Sequence, residues 1–423
     1  MSNDRTFGSS SFRLVAMGLL ALHKLIAEGK DDTPEADASR DSLEVPLRAL
    51  NKSEKDRAQW LSEDLYSINQ VALPGNLKLM TSEAQALLNA SYEARQSADW
   101  DQALEYLRGC NEYVLPAQLS YLRGAIWCES RNYDIAEAFF QHASSCEQKN
   151  GMYRAMHVYS LEKFDPSAAA KVAREILSRS DTEPPVVVAQ AANALIRGAK
   201  ASLHNELDRV RRELIPILDR TLDRLDQDRK AESRGAAYAM AAGLLGFCYE
   251  YLGNEGSAVS SFSRGLLEKP NEAALLVARG ILQYGSSPRA ISDLVEAVQL
   301  GYPKALPYLF LAHYYLITNQ FDNCRSMCER GLLLDGSNTT KSQLYEWLAI
   351  AQAELGFAGE LVSASFDAAI RLDPGNDFAR ENLSLFQASL SKAHGPAHAE
   401  WQQKTEAAIK SFGLAERRYD LAA

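Results

Sequence analysis

Cys324 and Cys328 stand at i,i+4 spacing, with His313 upstream of them. Thiolate and imidazole are zinc ligands, and a helix would carry both sulfurs on one face. A second pair of imidazoles flanks a turn in HGPAH, residues 394–398. Neither set reaches the four ligands of a structural zinc site, and no further donor lies close in sequence. Cys324 and Cys328 also fall on positions that the rest of the chain fills with small packing residues, so they read as core. HGPAH reads as a linker. Glu63 and Asp64 are sequence neighbours, which sends them to different sides of a helix and makes them surface charge, not an acid–base pair. The chain has no glycine-rich phosphate loop, no HExxH, no GxSxG and no CxxC. These residues point to no catalytic group, no cofactor and no metal.

Composition narrows the partners. The chain has 423 residues, 46% of them hydrophobic and 24% charged, with a formal net charge of −10. An acidic chain without a basic run is a poor match for nucleic acid or an anionic membrane. Six cysteines are too few for a disulfide framework at this length and read as reduced core residues of a cytoplasmic protein. LVAMGLLAL, residues 14–22, is as long as a signal core, but no small-residue cleavage site follows it. Val15, Leu19, Leu22 and Ile26 instead continue the spacing of an amphipathic helix. On length, no stretch is expected to span a bilayer.

The elements that hold these residues repeat. In GLLGFCYEYLGNEGSAVSSFSRGLLEKPN, residues 243–271, Gly246 and Tyr249 share one face of a first helix. Gly253-Asn254 breaks that helix. Ala258, Phe262 and Gly265 share one face of a second, which Pro270 ends. Small residues at the contact let two helices approach, and aromatic rings fill the space that remains. Gly280 follows Gly246 by 34 residues, and Ala290, Leu294 and Ala297 repeat the second-helix triplet. Ala312, Tyr315, Cys324, Cys328 and Gly331 form another unit, and Ala349, Phe366 and Ala369 a further one. Upstream, Trp100, Ala103, Leu107 and Cys110 match Tyr133, Ala136, Phe140 and Ala143 at an offset of 33. Ala169, Ala173 and Ile176 extend the series.

A period near ~34 with this pattern resembles the tetratricopeptide repeat family. The resemblance covers residues 84–180 and 235–390. It departs from the family where the early tryptophan is absent and where the closing proline is clear only at Pro270 and Pro374. It implies an all-α, right-handed superhelical solenoid of helical hairpins with a helical N-terminal cap. The expected divisions are a helical N-terminal module over 1–80, repeats over 81–183, an enlarged hairpin over 184–234, repeats over 235–392, and a linker with a C-terminal helix over 393–423. In the enlarged hairpin, Pro184-Pro185 starts a helix, and Pro216 is expected to kink or split a long charged one. In the N-terminal module, Thr33-Pro34 starts a helix, and SEKD, residues 53–56, is expected to form a capping box for the next. This module is similar to a short helical segment of bacterial proteins with no assigned chemistry. At the other end, Trp401, Ala408, Ile409 and Phe412 form an apolar face expected to dock on the end of the array.

In this family the first helix of each unit lines a concave surface. By that resemblance the lining here includes Tyr92, Tyr121, Phe247, Glu250, Tyr251, Ile281, Tyr284, Leu309, His313, Glu346 and Ile350. The chaperone-binding members clamp a terminal carboxylate with polar and basic residues. The matching Leu88, Tyr121, Val277 and Leu309 cannot do so. The implied function is a non-catalytic scaffold or adaptor that holds a protein or peptide segment in the groove. A peptide-responsive regulatory sensor and an enzyme with an unrecognised site are the alternatives.

Overall fold

The computed structural model describes residues 8–69, 77–200, 204–227, 234–391 and 400–420. HGPAH lies outside them. The described residues form helices and no strand. Two compact units divide at Val210–Arg211.

The first unit begins with α1 (Ser10–Ala27), α2 (Pro34–Arg48) and α3 (Lys52–Asn69). The hairpins α4 (Ser82–Gln96) with α5 (Trp100–Arg108) and α6 (Pro116–Glu129) with α7 (Tyr133–Cys146) follow. Then come α8 (Gly151–Phe164), α9 (Pro166–Leu177) and α10 (Pro185–Lys200), with α10 packed against both its predecessors. Helix α11 (His204–Gln227) crosses the division. The second unit contains α12 (Arg234–Tyr251), α13 (Glu255–Glu268), α14 (Ala273–Leu282), α15 (Arg289–Gln299), α16 (Leu306–Ile317), α17 (Phe321–Leu332), α18 (Asn338–Glu354), α19 (Gly359–Leu372), α20 (Asp377–Leu390) and α21 (Glu406–Asp420). Here α12/α13, α14/α15, α16/α17 and α18/α19 are hairpins.

In three hairpins a glycine on the first helix meets a large side chain on the second, at the expected Gly246 and Gly280 and also at Gly124. A Cβ on Gly246 would lie 2.5 Å from the ring of Phe262, one on Gly124 2.9 Å from Phe140, and one on Gly280 2.9 Å from Leu294. Gly253 takes φ +77° in the α12–α13 turn, a conformation that a side chain would strain. Cys324 and Cys328 are fully buried. Burial drives the Cys328 thiol well above its ordinary value, as befits a packing residue.

Several local expectations change. Asn51, not Ser53, caps α3: its Oδ1 accepts from the Glu54 amide at 2.9 Å, and Glu54 Oε2 accepts from the Asn51 amide at 3.2 Å. Ser53 instead donates to Asp101. Helix α11 is a single helix through Pro216, so the proline does not split it. Helix α1 is long and apolar enough by length and composition to cross a membrane, contrary to the reading from sequence. In this fold its Phe12, Val15, Ala16 and Leu19 are buried, and the Phe12 ring stacks on Trp127 at 6.3 Å. Asp64 is not surface charge. It lies buried, 2.8 Å from the Arg123 guanidinium, and burial lifts its carboxyl to about 6.

Candidate functional site

In the second unit, α12, α14, α16, α18 and α20 present one continuous row of side chains. Helices α14 and α16 are apolar on nearly every face, whereas α18 and α20 bury polar residues such as Gln343, Glu346 and Asn382 among their apolar ones. Phe247, Glu250, Ile281, Tyr284, His313 and Glu346 all stand in this row. It is not the open surface expected from sequence. Ile281, His313 and Glu346 are fully buried, as are Leu309 and Ile350, and Glu250 and Tyr284 are 4% exposed. Residues 400–417 of the same chain lie along the row and meet Glu250, His313 and Asn382.

That segment starts over α18–α20 and ends over α12. Trp401 stacks on Phe386 at 6.5 Å, sits 6.3 Å from Phe366, and donates its indole N–H to Glu354. Gln402 exchanges two main-chain bonds with the Asn382 amide, at 2.7 and 3.0 Å. The Lys404 carbonyl accepts from His313 Nε2 at 2.7 Å. Thr405 then caps α21. Ile409 is fully buried in the core of the unit. At Gly413 a Cβ would lie 2.3 Å from the Phe310 ring, so only glycine admits this approach. Glu416 accepts from the Ser337 and Thr340 hydroxyls. Arg417 pairs with Glu250 at 2.5 Å, donates to the Ala278 carbonyl at 2.6 Å, and lies over the Phe247 ring.

Polar groups are set among the apolar side chains of the row. Glu346 accepts from Asn376 at 2.9 Å and from Asn382 at 3.1 Å. Burial raises its carboxyl to about 7, against the opposing pull of Asn376, Lys404 and Asn382. Burial also lowers Lys404, whose ammonium lies 5.7 Å from the Phe412 ring centroid. His313 is lowered by burial too. Its Nε2 faces a carbonyl and its Nδ1 lies 2.7 Å from the Tyr284 hydroxyl. A neutral ring that donates through Nε2 and accepts at Nδ1 satisfies both contacts. With both nitrogens engaged, His313 does not join Cys324 and Cys328, and no metal-holding cluster occurs among the described residues.

The other candidates lie apart. Tyr251 turns toward α11, where the Arg211 guanidinium lies 3.7 Å above its ring. Tyr92 and Tyr121 belong to the first unit. Tyr92 is 59% exposed, and Tyr121 stacks on Tyr153 at 4.9 Å. The C-terminal segment also differs from its expected form: Trp401 precedes the helix, Ala408 is exposed, and the helix covers the inner row instead of the array's end. Sequence reading missed Asn382, Gly413 and Arg417. Ile409, Gly413 and Arg417 recur at i, i+4, i+8, a spacing that marks one helix face. The first unit holds a cleft of about 1010 Å³ among α1, α3, α7 and α8, with Arg13, Lys24, Glu137 and His142 on its walls.

No protein-family model matches the chain, and no curated protein matches it significantly. Among solved structures, the chain is similar to a human IFIT1 dimer with m7Gppp-AAAA, at 13% identity and a TM-score of 0.41 over 97% of this chain and 90% of that one. The apo quorum sensor NprR from B. thuringiensis aligns at 11% identity and a TM-score of 0.40, over 85% and 97%. The C-terminal part of a TPR repeat-containing protein from Cytophaga hutchinsonii aligns at 13% and 0.31, over 70% and 98%.

Proposed function

We propose that the protein is a non-catalytic interaction scaffold that holds a peptide segment of a partner protein on the inner helix row of its second unit. The supporting observation is the present occupant. Residues 400–417 are gripped through the main chain at Gln402 and Lys404 and through side chains at Trp401, Ile409 and Arg417. Main-chain bonds suit any peptide, and side-chain contacts supply selectivity. Glu250, Glu346 and Glu354 all face the occupant, which favours a basic segment and disfavours a phosphate backbone. The same occupant favours a second reading, a peptide-responsive sensor whose own segment leaves when a partner arrives.

The test is cross-linking of the full chain to a partner purified from the native host, with the links mapped by mass spectrometry. Links to the row between Phe247 and Asn382 are expected. Links confined to the first unit would move the interface there, and turnover of the bound partner would replace the scaffold with an enzyme.

A further inference from the structure

The contacts beneath residues 400–417 combine a few apolar anchors with a run of polar bonds. Inside the hairpins small residues meet large ones, as Gly246 meets Phe262 and Gly280 meets Leu294, and buried polar pairs such as Arg279–Asp293 occur as well. Where the C-terminal segment meets the rest of the second unit, Trp401, Ile409, Phe412 and Leu414 pack on its apolar core, and polar contacts run beside them. The polar contacts include Glu250 with Arg417, Asn382 with Gln402, His313 with Lys404, Glu354 with Trp401 and Glu255 with Lys410. Interfaces that open and close are more polar than permanent ones, because each face must also be stable in water. Glu250, His313 and Asn382 would regain water if the segment left, which offsets part of the cost of exposing Phe310, Phe366 and Phe386. Much of the segment itself is exposed, including Gln402, Gln403, Ala407, Ala408 and Ser411. Ile409, Gly413 and Arg417 are its inward points.

We infer that residues 400–417 are a displaceable gate: they fill the row as an internal mimic of the partner, and the incoming peptide must compete with them. This rests on the peptide-groove reading and adds its regulation. The contacts specify the competitor. It carries an aromatic residue that reaches Phe366, Phe386 and Glu354, then a short helix with an aliphatic anchor. One turn after that anchor comes a residue without a side chain against Phe310, and one turn later an arginine for Glu250. A gate closed in about nine molecules of ten weakens such a peptide about tenfold.

The experiment uses the full chain and a labelled synthetic peptide of residues 400–420. Two variants loosen the gate independently: Gly413→Leu drives a side chain into Phe310, and Arg417→Glu sets like charges together at Glu250. In both, hydrogen exchange of residues 406–417 is expected to accelerate while α12, α14 and α16 keep their protection. Both should bind the peptide about tenfold more tightly than the wild-type chain does. A peptide that itself carries Arg417→Glu should lose that gain. Three results would overturn the gate: peptide affinity equal in wild type and both variants, collapse of protection across α12–α16 when the segment loosens, or unchanged protection of 406–417 in both variants. A partner that cross-links to the row of the wild-type chain without altering protection of 406–417 also overturns it, and leaves the scaffold reading standing. A partner that cross-links only elsewhere sinks the scaffold reading and the gate that rests on it.

Discussion

Glu346 is a fully buried carboxylate on α18. Two amide side chains hold it, and its burial lifts its carboxyl from an ordinary 4.5 to about 7. The sign follows from linkage. A group whose pKa is higher in the folded state takes up a proton on folding, so its contribution is complete below about 4.5 and is lost as pH rises to about 7. We expect Glu346→Gln to remove that loss. Urea midpoints measured across this range should show wild type falling relative to the variant, by an amount on the order of 3 kcal/mol at most. Parallel curves for the two proteins would mean that Glu346 ionises as freely in the fold as in the unfolded chain.

Helix ends show how nearly a local motif can be misplaced. Ser53 and Asp56 have the spacing of a capping box, but α3 starts earlier and uses Asn51 with Glu54. Both pairs satisfy the same spacing rule, and the choice depends on where the preceding chain leaves the helix. Ser9 decides it here: its amide donates to Glu54 at 2.7 Å and ties the start of α1 to the start of α3. Asn51→Ala should therefore cost about 1 kcal/mol. Ser53→Ala, which loses an exposed bond to Asp101, should stay within about 0.5 kcal/mol. Denaturant melts of the two variants would decide between the boxes, and the reverse order of cost would restore Ser53 as the cap.

At the scale of the whole chain, a hairpin array spreads a local defect only to its neighbours. Gly246→Leu forces a side chain into the ring of Phe262, and overpacking of this kind costs roughly 1–3 kcal/mol. The damage should stay near its source. Hydrogen exchange is expected to lose protection across α12 and α13 and to keep it across α6 and α7. Equal loss in both places would mean that the chain opens as one cooperative body. An unchanged denaturation midpoint would contradict the close approach at Gly246 itself.

The hairpins were legible in the residues because everything that makes them is local. Gly246 and Phe262 lie within one repeat, the small-large alternation recurs about every 34 residues, and helix periodicity turns spacing directly into a shared face. Cys324 and Cys328 were legible as core for the same reason. The inner row could be found in sequence, but not its cover. A helix face shows that it is apolar and acidic, and nothing in its own spacing says which segment will lie on it. Arg417 reaches Glu250 across 167 residues, counted as 417 − 250, and His313 meets a main-chain carbonyl that any residue could have supplied. Asp64 was misread as surface because its burial depends on Arg123, which a different hairpin brings. Sequence alone determined the elements and their pairwise packing, where the partner is the next helix. Tertiary structure decided which faces stay open and which charges are buried, because those depend on contacts between residues far apart along the chain.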